Sequence, residues 1–195
     1  MKIDKAIKKE KGSNRVFFII MTIIFIVLPL VAYLSQIKHL FLWIYLAFVE
    51  ILIIFAIIIK INQNKLKFIL NNNKLKFKSG IFNKESIILC DKVVVVHTDK
   101  SKEDMDIILI TINRFRNPYL KPITKGFMKK YSEASEEYLK VKKIKPEEVY
   151  YFQVIRRGSL KKYILLDEIF KNCVKANYTA SAIENIKIAR EQIEL

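Results

Sequence analysis

Two stretches of the chain are apolar on every face of a helix: residues 16–35 (VFFIIMTIIFIVLPLVAYLS) and residues 40–59 (LFLWIYLAFVEILIIFAIII). Each has the ~20 residues a helix needs to cross ~30 Å of hydrocarbon. A soluble core helix keeps a polar stripe. A cleaved signal has a shorter apolar run, ~7–15 residues, and a small-x-small cleavage site. Neither description fits. Only Gln36, Ile37, Lys38 and His39 separate the two blocks. The pattern therefore predicts a two-span transmembrane hairpin over residues 16–61, with both ends on one side of the membrane.

After residue 61 the period changes. Lys65-Leu66-Lys67-Phe68 and Lys74-Leu75-Lys76-Phe77-Lys78 alternate cation with hydrophobe, which is the period-two signature of half-buried strands. Asn71, Asn72 and Asn73 lie between them, and Asn tolerates the positive φ of tight hairpins. Further strands are expected at 85–90, 92–97, 105–112, 148–155 and 160–165. Pro118, Pro122 and Gly126 mark a loop over 113–126. Phe127, Met128, Tyr131, Ala134, Tyr138 and Val141 recur at helical spacing, and Pro146 ends that helix at about residue 144. Near the C-terminus, Asp167 is placed to cap one helix. Ser181 and Glu184 have the spacing of a capping box for a second.

Charge orients this scheme. The chain carries +16. Six cations (Lys2, Lys5, Lys8, Lys9, Lys11, Arg15) sit in residues 1–15, and seven lysines from Lys60 to Lys84 precede the first acid after the hairpin, Glu85. The link carries only Lys38. Cytoplasmic flanks are enriched in Lys and Arg, so both termini are expected in the cytoplasm of a cell that holds this protein in its plasma membrane. The organisation read from the chain is a solvated basic tail (1–15), the hairpin (16–61) and a cytoplasmic domain (62–195).

Strands that directly follow a two-span hairpin, with an apolar helix at the end, resemble the bacterial membrane-anchored proteins with a pleckstrin-homology-like domain. The resemblance lies in residues 66–98, LKFILNNNKLKFKSGIFNKESIILCDKVVVVHT. Leu75, Phe77 and Gly80 are followed by Ile81-Phe82, a polar turn at Asn83-Lys84, and apolar strands at 87–89 and 93–96. It implies an α+β fold: the hairpin, then a small antiparallel β barrel or sheet with C-terminal helices, in which the helix at 127–144 is an insertion. It implies binding or scaffolding, and it brings no catalytic residues.

Two sets of residues are candidates for function. Lys65, Lys67, Lys74, Lys76 and Lys78 would share one face of a two-stranded ribbon, for contact with anionic lipid headgroups. The plainer reading is a solvated face whose lysines protect a sheet edge. Glu50 is the one ionisable residue deep in either span, and such residues are functional candidates. Pro29 cannot donate to the carbonyl of Phe25, which a short link would bring to about the depth of Glu50. A protonated Glu50 could donate to that carbonyl or meet Thr22, locking the hairpin. The rivals are pairing of Glu50 between copies in a homo-oligomer, a proton or ion path, and a tolerated polar residue facing protein. The alternative for the hairpin as a whole is an assembly contact with a larger transporter or export complex.

Other chemistry finds no support. His39 and His97 are assigned to opposite sides of the membrane, with His97 read as a strand-end residue beside Asp99. Cys90 and Cys173 are far apart in sequence in a domain assigned to a reducing compartment, so they read as buried thiols rather than a disulfide or zinc ligands. No metal, cofactor or catalytic set is expected. Cations beside aromatics at Arg114-Phe115-Arg116 come without a nucleic-acid motif. The expected partners are the lipid bilayer and a membrane or cytoplasmic protein.

Overall fold

The computed structural model describes all residues except 1, 36–38, 72, 101–103, 113, 115–116 and 194–195. The link residues Gln36, Ile37 and Lys38, the middle turn residue Asn72, and Phe115 and Arg116 therefore lie outside the described residues.

Helix α1 (Ile3–Leu34) and helix α2 (Leu40–Asn64) form the N-terminal hairpin. Both are long and apolar enough to cross a membrane, and none of the most apolar window of either is buried within the protein. They run antiparallel, since Phe18 and Ile19 of α1 line a common groove with Ile61 and Asn64 of α2. Their less exposed positions include Asn14, Phe18, Met21, Leu28 and Ala32 on α1, and Leu46, Val49, Glu50, Ile53, Ile57 and Lys60 on α2. That three-and-four spacing is the seam of two packed helices.

The first 15 residues are not the solvated tail expected from their charge. Residues 3–15 are the opening turns of α1, and Ile3, Ala6 and Ile7 are buried, with Ile3 and Ile7 inside the core of the following domain. Their spacing puts them on one helix face, while the lysines occupy the others.

The domain has two sheets. Strands β1 (Leu66–Asn71), β2 (Lys74–Ser79) and β3 (Ser86–Leu89) form an antiparallel meander in the order β1-β2-β3. Asn73 takes φ +64° in the first turn, a conformation Asn tolerates better than most residues. The second sheet contains β4 (Val93–Lys100), β5 (Met105–Thr111), β6 (Lys121–Pro122), β7 (Tyr151–Ile155) and β8 (Asn177–Tyr178), in the order β6-β7-β5-β4-β8. The β4–β8 pair is parallel. The barrel implied by the resemblance is not formed, because the two sheets stay open toward each other.

Helices α3 (Lys125–Lys130) and α4 (Ser132–Ile144) occupy the span expected as one helix, and the break falls at Tyr131. They cover one face of the large sheet, where Phe127, Tyr131 and Ala134 pack on Val95, Ile108 and Ile110. The other face carries Val96, Ile107 and Leu109, and it packs on β2, on α5 (Lys161–Asn172) and on α6 (Ala180–Ala189). Burial on both faces explains why β4 and β5 read as unbroken apolar runs rather than alternations.

Three further expectations fail at the C-terminus. Residues 160–165 are not a strand but the start of α5. Asp167 lies inside that helix and pairs with Lys171 and Arg190 instead of capping it. Thr179, not Ser181, caps α6, and its hydroxyl accepts from the N–H of Ala182.

The hairpin and the domain are joined by a dense set of polar contacts. Gly158 N donates to Gln63 O (2.8 Å), and Gly80 N donates to Lys65 O (2.6 Å). Asn62 Oδ1 accepts from Ile81 N (2.8 Å), and Ser159 Oγ donates to Asn64 Oδ1 (2.8 Å). Gly158 has φ +127°, and a Cβ there would lie 2.6 Å from Leu66 Cδ2. Only glycine fits that close approach without strain.

Candidate functional site

The lysine face follows from the register of β1 and β2. Lys67 stands opposite Lys78, Ile69 opposite Lys76, and Asn71 opposite Lys74. All are exposed, and so is Lys65, the residue joining α2 to β1. Ile69, in the middle of the face, is 60% exposed. Among the described residues none of the five lysines makes an ion pair. Like charges directly opposite on a sheet repel. This face therefore gains most from an anionic counter-surface, with an apolar side chain at its centre.

Glu50 lies on the seam of the hairpin, and both carboxylate oxygens are shielded without a hydrogen-bond partner. Thr22 Oγ1 donates to Phe18 O within its own helix (2.8 Å). The expected bonds from Glu50 to Thr22 or to the Phe25 carbonyl are therefore not made, although Pro29 lies inside α1 as the sequence requires. Helix α1 continues through Pro29, so the carbonyl four residues earlier loses its usual donor. The seam brings the two helices together without the polar lock.

His97 is not a strand-end surface residue. It sits in the interior strand β4 and is 5% exposed. Its Nδ1 lies 3.0 Å from Thr179 Oγ1, 3.1 Å from Ser181 Oγ and 3.7 Å from Glu133 Oε2. Burial pushes the imidazole below its ordinary value, and Glu133 and Asp99 oppose that shift. Burial also pushes Glu133 up, but the Ser181 N–H and hydroxyl outweigh it and hold the carboxylate below its usual range. In a catalytic triad the base uses one nitrogen for the nucleophile and the other for the acid. Here hydroxyls and carboxylate converge on the same nitrogen, which is not that arrangement. The cluster ties β4 to α4 and α6.

Lys162 is 1% exposed. Its Nζ donates to Arg156 O (2.7 Å) and meets Asp104 Oδ2 at 2.8 Å and Asp106 Oδ1 at 3.9 Å. Burial pushes Asp106 up despite Lys162 and Arg156 beside it. Neither Lys162 nor its acids was legible as a group, because they lie on strands and helices far apart in the chain. Cys90 and Cys173 are both buried and free, in the same core cluster. The Cys90 thiol and burial push the Cys173 thiol up.

Where the two sheets fail to close there is a cleft of about 430 Å³, with Phe77, Phe127 and Phe152 among its walls and Lys84, Lys121 and Lys130 among its cations. Side chains bridge the gap in place of backbone pairing. Gln153 Nε2 donates to Ser86 Oγ (3.0 Å), and Gln153 Oε1 accepts from Asn117 Nδ2 (2.7 Å). Among the described residues no group of three His, Cys, Asp or Glu side chains could hold a metal ion. Comparison with family models, curated proteins and solved structures finds no match.

Proposed function

We propose that this chain is a membrane-anchored, non-catalytic binding or scaffolding protein. On this reading it holds a pleckstrin-homology-like domain, in an opened form, at the cytoplasmic face of the plasma membrane, with both termini on that side. The observation that carries the reading is the lysine face. It is unpaired, has Lys67 directly against Lys78, and begins one residue after α2 ends. A strand rises ~3.3 Å per residue, so the whole face stays within ~20 Å of the point where α2 ends. Each lysine brought near an anionic surface contributes roughly 1 kcal/mol. The three-strand meander leading into a larger sheet with a C-terminal helix supports the kinship, while the open sheets and the α3–α4 pair depart from it.

The test uses the full chain, because Ile3 and Ile7 of α1 belong to the domain core. The protein is placed in nanodiscs of phosphatidylcholine alone or mixed with phosphatidylglycerol, and amide hydrogen exchange is followed over residues 66–79. Anionic lipid should slow exchange there, and changing the five lysines to Gln should abolish the difference. Equal exchange in both lipids would remove the proposal.

The shielded, unpartnered carboxylate of Glu50 favours a second reading. Here the hairpin is an accessory subunit of a transporter or export complex, and Glu50 meets a polar group on a neighbouring chain. Buried polar groups are normally satisfied, and a missing partner is one way to satisfy this one. Purification from native membranes in mild detergent distinguishes the two. A larger polytopic protein that accompanies the wild type but not Glu50→Leu supports the subunit reading.

A further inference from the structure

Where the two long helices meet the domain, a groove opens with two kinds of wall. Phe18 and Ile19 of α1 and Ile61 of α2 make its apolar side. Lys11, Arg15, Lys65 and Lys161 make its basic side. Its volume is about 530 Å³. A second cavity of about 530 Å³ shares Asn14 and Asn64 with it and adds Lys9 and Lys60. The two cavities thus adjoin at Asn14 and Asn64, where the hairpin meets the domain.

The charge of this region is not balanced from within. Among the described residues, Lys11, Arg15, Lys65 and Lys161 make no ion pair. Two acids line the second cavity, and both are engaged. Glu10 Oε2 accepts from Leu160 N at 3.4 Å, and Asp104 pairs with Lys162. The walls are held before any ligand arrives, by the Gly158–Gln63 and Ser159–Asn64 hydrogen bonds. A preformed site loses little to ordering on binding.

We propose that this groove binds one anionic phospholipid. The phosphate sits among Lys11, Arg15, Lys65 and Lys161, an acyl chain lies along Phe18, Ile19 and Ile61, and the rest of the headgroup reaches toward Asn14 and Asn64. Basic pockets beside membrane helices at the cytoplasmic level suit such headgroups. A free phosphate would use the cations and leave the apolar side wet, so the occupant is a lipid. The proposal rests on the reading that the hairpin lies in a membrane. It is separate from the lysine face, with which it shares only Lys65.

The test is native mass spectrometry of the full chain in mild detergent, titrated with phosphatidylglycerol, phosphatidylcholine or inorganic phosphate. One phosphatidylglycerol should bind per chain, about 10-fold more tightly than phosphatidylcholine. The variant K11Q/R15Q/K161Q should lose that preference, the charge-conserving K11R/K161R should keep it, and K67Q/K74Q/K76Q/K78Q should leave it unchanged. Equal binding of the two lipids would overturn the proposal. So would retention by the first variant, loss in the last, or displacement of the lipid by inorganic phosphate at equal concentration. The lysine-face reading is judged separately, by exchange over residues 66–79.

Discussion

The interior of the hairpin and the joint where it meets the domain are built on opposite principles. Over residues 16–34 and 40–59 the surface is apolar, Thr22 bonds its own helix, and Glu50 has no hydrogen-bond partner among the described residues. At the joint, Asn62, Gln63, Asn64 and Lys65 all accept hydrogen bonds from the domain, and two glycines with positive φ allow the backbones to meet. Along the hairpin interior the helices meet through apolar side chains, Glu50 apart. The joint fixes the domain relative to α2. An anchor alone would need only the first. A protein that presents a chosen face to a membrane needs both.

The largest expected effects lie in the domain and at its joint with the hairpin. Lys162→Ala leaves Asp104 without its close partner in a buried site. Removing one member of a buried pair costs about 3–5 kcal/mol, so the domain should melt far earlier than wild type by circular dichroism. A change of less than a few degrees would mean that the domain is not held by this lysine. Gly158→Ala combines a strained φ with a Cβ pressed on Leu66. A loss of about 2–4 kcal/mol is expected from strain and overpacking, with Leu66→Ala in the same chain relieving only part of the overpacking, because a Cβ at position 66 would still lie 2.7 Å away.

A smaller effect comes from His97. Folded, it is held below its ordinary value by burial; unfolded, it takes a proton near ~6.5. Its contribution to stability is therefore full above that pH. It falls as the pH drops below ~6.5 and levels off once the folded form also protonates. Melting temperature followed from pH 7.5 to 5 should decline over this window, and His97→Asn should flatten the decline. Glu133, held low, acts in the same direction but only below its own ordinary value of ~4.3. The smallest effect is expected in the hairpin interior: Glu50→Leu breaks no hydrogen bond and should leave the melting temperature of the isolated protein unchanged or higher. Marked destabilisation would mean that a polar lock exists after all, and the contrast between the two regions would weaken.

The two regions also differed in how far the sequence revealed them. The hairpin was plain, because twenty apolar residues have few alternatives. Strands β1 to β5 and β7 were legible from alternation or β-branched runs. The first half of α5, residues 161–165, was read as a strand, and only its second half as a helix, for a physical reason. Its inward positions are Lys162, Tyr163, Leu165, Leu166 and Ile169, and a buried lysine among them hides the helical stripe and leaves a short apolar run. Short apolar runs do not separate strand from helix. The docking of Ile3, Ala6 and Ile7 was masked by surrounding charge. The placing of His97 beside Ser181 depends on a pairing across 84 residues, for which local pattern gives no signal. The five lysines were legible as a face because a hairpin register follows from its turn, but the pattern does not say what that face meets.

That face can be probed directly at its centre. Cys90 and Cys173 are buried, so a spin label attached to Ile69→Cys reports one exposed position, and its accessibility to oxygen and to a water-soluble nickel chelate gives its depth. In full-length protein in phosphatidylglycerol-containing nanodiscs, the account predicts a label at the headgroup level, shielded from nickel and open to oxygen, which returns to water in phosphatidylcholine alone. A label equally open to nickel in both lipids would contradict it.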